Sequence, residues 1–589
     1  MLLFSQLREY FASEWRRYTG AVSLLVLVAL LQLLPPRLVG IIVDGVTHHT
    51  LSHRQLTLWI GVILAIAVVT YFLRYVWRVL LFGASYKLAV VLREKYYHQL
   101  SRQSPQFYAR YRTGDLLARA TNDVDRVVFA AGEGVLTLID SLVMGLAVLV
   151  VMSTQISWQL TLIALVPMPV MALIINRCGK KLHRRFRSAQ AAFSSLNDQA
   201  QESLTSIRMI KAFGLEQYRS AQFLKTSQQT STDNFRVARV DALFEPVIYL
   251  AVACSNFLAI AGGGWMVWHQ QLSLGQLTSF VMYLGLMIWP MLALAWMFNI
   301  VERGSAAWVR IEALLSQAPE IADGLHRLPA GRSDLRLNIA YFRYPQSDND
   351  VLHNMEITIP PGSMLGICGP TGSGKSTLLA LIQRHVELTA GQVTYHGQPL
   401  SYWLQDDWRQ RLAVVNQSPF LFSDTVAGNI SLGNPQASRE QIAQAAKLAC
   451  VEQDILRLPQ GYDTDVGERG VMLSGGQKQR ISLARALLMN AEILILDDAL
   501  SAVDGGTEHR ILTNLRQWRG NKTVIMTAHR LSALAMADEI IVLQQGEITQ
   551  RGTPQQLENA AGWYQDMYQY QKIAASLSGN SGRQPPQEV

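Results

Sequence analysis

The sequence predicts an α-helical six-span membrane domain followed by an α/β phosphate-loop domain, and three observations carry that expectation. Charged residues make up only 16% of the 589-residue chain and hydrophobic residues 49%, against roughly 25% charged in an ordinary soluble domain. Apolar stretches near or above the roughly 20 residues needed to cross a bilayer recur six times in the first half of the chain. In the second half, short β-rich runs alternate with helical stretches, and one of them leads into a glycine-rich loop.

The opening segment, "MLLFSQLREYFASEWRRY", has no small-residue cleavage site after a short apolar core, which excludes a removable signal peptide. Residues 1–18 read instead as an amphipathic helix lying in the membrane interface. The membrane domain is expected over 19–315, with spans near 19–46, 57–82, 128–152, 157–177, 243–268 and 274–299. Three links are short and contain or adjoin "VTHHTLSHRQ", "STQIS" and "WHQQLSLG". The other two, 83–127 and 178–242, are long, polar and helical in pattern. They hold Arg93, Lys95, Arg110, Arg112, Arg119, Lys180, Lys181, Arg184, Arg185, Arg208 and Lys211. The excess of Lys and Arg places both long links, and with them both termini, in the cytoplasm.

The net charge of +8 raises nucleic acid as a partner, but the basic residues form no dense tract and sit beside apolar stretches. Phospholipid headgroups are the expected partner, and nucleic acid is not. Cys178, Cys254, Cys368 and Cys450 are far apart, with no spacing suited to a disulfide framework or a zinc site. Arg74 and Arg78 in the second span, Glu133 and Asp140 in the third and Glu245 in the fifth are costly in lipid. They pair with one another or reach water, and one or two could line a pathway. Met282, Met287, Trp289, Met291, Trp296 and Met297 in the sixth span suit either a promiscuous cavity or ordinary packing. His48, His49 and His53 fall in a short link, where solvated polar residues are expected rather than a metal site.

Residues 335–570 form the second expected domain, and "SLSGNSGRQPPQEV" makes 575–589 a disordered tail by composition. "GPTGSGKST" (Gly369, Pro370, Thr371, Gly372, Ser373, Gly374, Lys375, Ser376, Thr377) follows the strand-like "MLGIC". Its glycines let backbone N–H groups curl around phosphate, and the following helix presents its positive end. Lys375 would pair with the β- and γ-phosphates, and the Ser376 hydroxyl would ligate Mg²⁺. Tyr344 in "YFRYP" offers a ring for adenine, and Gln417 in "VVNQSPFLF" an amide for Mg²⁺ or the attacking water. In "LSGGQKQR", Ser474, Gly475, Gly476 and Gln477 open a helix and form a second anion-binding terminus. Two phosphate cradles for one ATP make sense if the second serves a partner's nucleotide.

Together with "ILILDD" and the "TAHR" segment bearing His529, these motifs resemble the ATP-binding cassette (ABC) family, and the six-span half with two long links resembles that family's exporters. The resemblance implies a type I/type IV exporter fold, ATP and Mg²⁺ as cofactors, and a half-transporter that works as a dimer. By that resemblance Tyr344 stacks on adenine, Gln417 senses both metal and membrane domain, Asp497 supports Mg²⁺ and His529 contacts the γ-phosphate. "SAVD" (Ser501 to Asp504) corresponds to the D-loop, and "TDVGERG" (Thr464 to Gly470) to the segment that touches the intracellular loops. "TGDLLARATNDV" and "ESLTSIRMIKAFGLE" look like the coupling regions, with Ser206 where a glycine is common.

The sequence departs from the family at Asp498, where members that hydrolyse ATP well carry glutamate to polarise the attacking water. One methylene fewer leaves the carboxylate about an ångström short, and such misplacements cost about 10²-fold. The expectation is a heterodimeric exporter half in the bacterial inner membrane, moving drugs, xenobiotics or amphiphiles outward. Asp498 weakens its own site, while its intact LSGGQ completes the competent site of a partner half-transporter. The alternative is a homodimeric lipid or glycolipid flippase in which Asp498 works as the base.

Overall fold

A computed structural model describes residues 2–580 apart from Gln346 and Val471. It divides into two compact units, one of residues up to 101 with 113–317, the other of 102–112 with 318 onward.

In the first unit, six helices among the described residues are long and apolar enough to cross a membrane: Trp15–Thr47, His53–Ser101, Thr113–Ile156, Trp158–Thr205, Glu216–Trp268 and Leu274–Ala293. The second of them, 49 residues long, reaches roughly 74 Å at 1.5 Å per residue, more than twice the ~30 Å hydrocarbon core. The spans therefore run on into both long polar links. Their interruptions have local causes. The first breaks at Leu33, just before Pro35 and Pro36, and the fourth at Val166, just before Pro167, since proline removes a ladder donor and clashes with the preceding turn. The third contains wide turns at Arg119–Asp123, Ala130–Gly134 and Met152–Ile156.

The N-terminal segment differs from a single interfacial helix. It forms two short helices, Leu2–Gln6 and Arg8–Ser13, and the first span already begins at Trp15. Leu3 and Leu7 are buried, the Gln6 amide nitrogen donates to Glu312 at 3.2 Å, and the Tyr10 hydroxyl donates to the Ala84 carbonyl at 2.5 Å. The segment is thus docked on its own helical unit, because its apolar residues find protein rather than lipid alone.

Among the described residues the second unit is built on ten strands: β1 Leu335–Phe342, β2 Leu352–Ile359, β3 Met364–Cys368, β4 Ala390–Tyr395, β5 Gln398–Pro399, β6 Leu412–Val415, β7 Ile493–Asp497, β8 Thr523–Thr527, β9 Glu539–Gln544 and β10 Glu547–Gly552. A four-stranded antiparallel sheet has the order β2-β1-β4-β5, and a six-stranded sheet the order β10-β9-β3-β8-β7-β6. In the larger sheet only the β10 edge pairs antiparallel. Its parallel strands are buried on both faces: in β7, Leu494 and Leu496 join one apolar cluster while Ile493 and Ile495 join the other. That is why the strand reads as an unbroken apolar run instead of alternating. The ends of β3, β6, β7 and β8 consequently open on the same edge, where ligands bind in open α/β sheets.

The helix Trp563–Asn580 carries residues 575–580, which composition assigns to a disordered tail. Tyr564, 1% exposed, anchors that helix in the domain core, and the cooperative ladder carries the polar residues after it. The rest of the expected tail, 581–589, lies outside the described residues.

Candidate functional site: a phosphate cleft at the strand ends

β3 runs directly into the glycine loop. Gly369 has φ 142°, and a Cβ there would lie 2.0 Å from the Leu543 carbonyl oxygen; Gly374 has φ 100° and would place one 2.5 Å from Leu352. Only glycine meets both the backbone and the space requirement at these two positions. The helix Lys375–Ile382 starts immediately afterwards, so its N–H groups face the loop. Lys375, 9% exposed, donates from Nζ to the Gly369 and Pro370 carbonyls at 2.9 Å each. Burial pushes its ammonium below the ordinary lysine value, and Cys368, Asp497 and Asp498 oppose that shift.

One cleft is lined by Thr371 to Thr377, Gln417, Asp497, Asp498, Thr527 and His529. Register explains the acids: Asp497 is the last residue of β7 and pairs with Thr527, the last of β8. The Thr527 hydroxyl donates to Asp497 Oδ1 at 2.7 Å, and the Ser376 hydroxyl lies 3.5 Å from the same oxygen. Asp498 then leaves the strand with φ 45°, a left-handed conformation that aspartate tolerates better than most residues. Its N–H is fixed by the Thr527 carbonyl and hydroxyl at 3.1 and 2.9 Å. Its Oδ1 lies 3.5 Å from the backbone nitrogen of His529. Gln417, two residues beyond β6, reaches the cleft from an exposed turn. Tyr344 is half-buried beside the loop; its hydroxyl is 3.2 Å from the Thr377 hydroxyl and its ring meets Phe342 edge-on.

The second cradle stands apart. Ser474, Gly475, Gly476 and Gln477 are not among the residues lining the cleft. Ser474 caps the helix Gly475–Leu488 in a capping box with Gln477. Gly476 closes against Ala502, whose carbonyl oxygen would lie 2.9 Å from a Cβ. Further along, Gln479 donates to the Ser501 hydroxyl at 3.2 Å and accepts from Ala502 N at 3.0 Å. The helix Gly475–Leu488 is thereby tied to the turn that begins at Asp498. Arg530 closes the other side, donating to the Val503 carbonyl at 3.1 Å and pairing with buried Glu508 at 2.9 Å.

Matches to known proteins agree with this geometry. Residues 19–291 match the model of the ABC transporter transmembrane region, and residues 352–501 that of the ABC transporter. MdlA of Escherichia coli (strain K12), a multidrug resistance-like ATP-binding protein, is 67% identical over 98% of each chain. The chain belongs to the ABC transporter family. Its motor is an ATP-binding domain and its membrane half is of exporter build, so the chain is part of an ATP-hydrolysing transporter. An ATP-dependent lipid A-core flippase of Chromohalobacter salexigens is 32% identical over 97% of this chain and 98% of its own. Among solved structures, a bacterial Atm1-family ABC exporter with ATP bound superposes with a TM-score of 0.80 at 27% identity, covering 95% of this chain and 99% of that one.

Several contributors to this ABC site are not singled out by the sequence: Thr527, which holds both acids, Gln479 and Arg530, which hold the intervening turn, and Gln571 on the C-terminal helix. Thr527 lies two residues before His529 in "TVIMTAH", so its position on the strand is a usable signal. The short helix Pro105–Arg110 groups with the second unit, where Ser104 and Arg110 both engage Glu320. "TGDLLARATNDV", the segment expected to couple, groups with the first unit.

Proposed function

We propose that the chain is one half of a heterodimeric exporter of the bacterial inner membrane, with the cassette and both termini in the cytoplasm, and that its own nucleotide site turns over slowly. The carrying observation is Asp498: the side chain that follows Asp497 in the wall of the phosphate cleft is a short acid, on a backbone held at φ 45° by Thr527. A glutamate would carry its carboxylate one methylene further toward a water. Loss of a general base typically costs about 10²–10⁴-fold. The LSGGQ cradle, outside that cleft, completes the partner's site, and a partner with glutamate after its strand-end aspartate supplies the fast hydrolysis.

In this reading Tyr344 stacks on adenine, Thr371 to Thr377 wrap the phosphates, Lys375 turns from the loop carbonyls to the β- and γ-phosphates, and His529 reaches the γ-phosphate. Ser376, Gln417 and Asp497 would hold Mg²⁺. The hydroxyl and carboxylate oxygens that meet 3.5 Å apart fit a hard cation that keeps several waters and phosphate ligands. The metal neutralises charge on the phosphates when bound. Closing of the two cassettes on ATP moves the helical units through their docked segments. The cargo is drugs, xenobiotics or other amphiphiles, in keeping with the multidrug resistance-like relative.

The test is steady-state ATPase of the purified chain alone, of Asp498→Glu, and of each mixed with candidate partner halves. A nearly silent chain, activated by a partner and silenced by Glu→Gln in the partner, supports the reading. Fast hydrolysis by the chain alone that Asp498→Asn abolishes overturns it in favour of a homodimer. That second reading, a lipid or glycolipid flippase with Asp498 as a working base, draws on the flippase relative.

A further inference from the structure

A cavity of about 490 Å³ lies within the helical unit, and four charged side chains from two helices line it. Arg74 and Arg78 come from the helix His53–Ser101, one turn apart on one face. Glu133 and Asp140 come from the helix Thr113–Ile156, two turns apart on one face. The two arginines and the two acids thus line one and the same cavity. Among the described residues, none of the four closes an ion pair within 4 Å. Trp77 and Trp289 flank them, and Leu25, Val28, Leu286 and Pro290 supply apolar wall. The volume falls within the roughly 300–1,000 Å³ of small-molecule sites.

We propose that this cavity binds a zwitterionic amphiphile, with its anionic group on Arg74 or Arg78, its cationic group on Asp140 or Glu133, and its apolar body against the tryptophans and aliphatic wall. The inference rests on the exporter reading and names the substrate class of that exporter. Charge count decides the class. Two guanidinium groups and two carboxylates cancel, so the site attracts neither sign by net field. A ligand of one sign satisfies one partner and meets repulsion from the two groups of its own sign, in surroundings where an unpaired charge is expensive. A zwitterion satisfies one acid and one base together and leaves one acid and one base to cancel. The rejection of singly charged analogues is then built from repulsion as much as from attraction. A membrane phospholipid headgroup and a free zwitterionic solute share this chemistry.

The experiment measures binding of three probes with the same dodecyl chain, below their micelle concentrations, to the full-length protein in phosphatidylglycerol nanodiscs. The probes are dodecylphosphocholine, dodecyltrimethylammonium and dodecyl sulfate. The expected result is a Kd for the zwitterion about tenfold below both others, the effect of one additional charge-assisted contact. The double variants Asp140→Asn with Glu133→Gln and Arg74→Gln with Arg78→Gln should each erase that preference, while Asp140→Glu retains it and controls for folding. Equal Kd values for all three probes overturn the proposal. So does a preference for the cation that survives Arg74→Gln and Arg78→Gln, which would mark an organic-cation site. Displacement of dodecylphosphocholine by vesicles of phosphatidylethanolamine but not by the chain-free zwitterion glycerophosphocholine identifies lipid as the source, and the reverse identifies a solute; both support the class. ATP-driven transport of any amphiphile by the assembled dimer is read separately. Transport without headgroup preference sinks only the zwitterion, whereas headgroup preference without transport sinks only the exporter reading.

Discussion

Gln571 brackets the backbone around His529: its amide nitrogen donates to the His529 carbonyl at 2.8 Å, and its amide oxygen accepts from Leu531 N at 2.9 Å. One side chain on the C-terminal helix thus holds the loop on both sides of the histidine that lines the phosphate cleft. Each bond is worth about 0.5–1.5 kcal/mol net. Gln571→Ala should therefore ease local opening by about 1–3 kcal/mol and speed exchange of the Leu531 amide by roughly 5- to 150-fold. Hydrogen–deuterium exchange over residues 527–534 reads this directly. The strands β3, β7 and β8 should stay protected, and an unchanged Leu531 amide would show that the loop is held by something else.

The helix pair Leu34–Thr47 and Leu274–Leu286 approaches more closely than side chains allow. A Cβ on Gly275 would lie 2.0 Å from the Gly40 carbonyl oxygen, and one on Gly40 would lie 2.0 Å from the Ser279 hydroxyl. Asp44 locks the same contact, accepting from the Ser273 hydroxyl at 2.6 Å and from Gly275 N at 2.7 Å. Small residues at such an interface are what packing within a membrane requires. Gly275→Ala should force the helices apart and cost about 1–3 kcal/mol, as overpacking does. Ser279→Ala, which leaves the backbone approach intact, should cost less. Thermal unfolding in detergent ranks the two, and the reverse order would refute the close-contact account.

How much of the fold and of the site is legible in the sequence depends on whether a residue's partner is local. The glycine loop, the strand end at Asp497 and the capping box at Ser474 are defined by neighbours within four residues, so the order of residue types exposes them. The parallel sheet is legible because burial on both faces leaves "ILILD" almost wholly apolar. Gln571 lies 42 residues from His529, and no local pattern marks one glutamine among the polar residues of a helix. The same holds for Gln479, whose partners in the turn after Asp498 only the packed domain reveals. Sequence patterning misplaces helix ends where protein replaces lipid as the solvent of an apolar face, as at Leu3 and Leu7. It misplaces the start of the tail where an anchored helix outlasts its apolar residues.

Asp504 caps the helix Gly505–Arg519 and closes the turn that starts at Asp498, accepting from Thr507 N at 2.9 Å. The Thr507 backbone and side chain hold its carboxyl below the ordinary aspartate value. The native state therefore binds this proton less readily than the unfolded chain. The carboxylate's contribution is complete above the unfolded aspartate value near pH 3.9 and is lost as pH falls through the lower folded value. Asp504→Asn keeps a capping oxygen but cannot titrate. The stability difference between wild type and Asp504→Asn should be constant from neutral pH to about pH 5 and shrink below about pH 4. Denaturant unfolding at stepped pH checks it, and a difference that grows toward acid would mean that the native state binds this proton more readily than the unfolded chain.

Asp123 and Arg310 form the best-defined ion pair of the helical unit, with Nε–Oδ2 at 2.8 Å and Nη2–Oδ1 at 2.6 Å. The fork geometry favours arginine over lysine, because only a planar guanidinium offers two parallel donors. The two ends of the pair are unequally placed: the Asp123 side chain is 9% exposed and that of Arg310 42%. Removing the acid leaves a guanidinium that water can reach. Removing the base strands a carboxylate that water can scarcely reach, with Arg126 at 3.7 Å. Fully buried pairs lose about 3–5 kcal/mol when broken, and the exposure of Arg310 lowers the expectation. Asp123→Asn should thus cost about 1–2 kcal/mol and Arg310→Met about 2–3 kcal/mol, with Arg310→Lys between them. The double variant should be less destabilised than the sum of the singles, because its second change removes a charge that the first left unpaired. A double-mutant cycle by denaturant unfolding measures that coupling. Strict additivity would mean that the pair is a surface contact without structural weight, and that the wide turn at Arg119–Asp123 is held by its backbone alone.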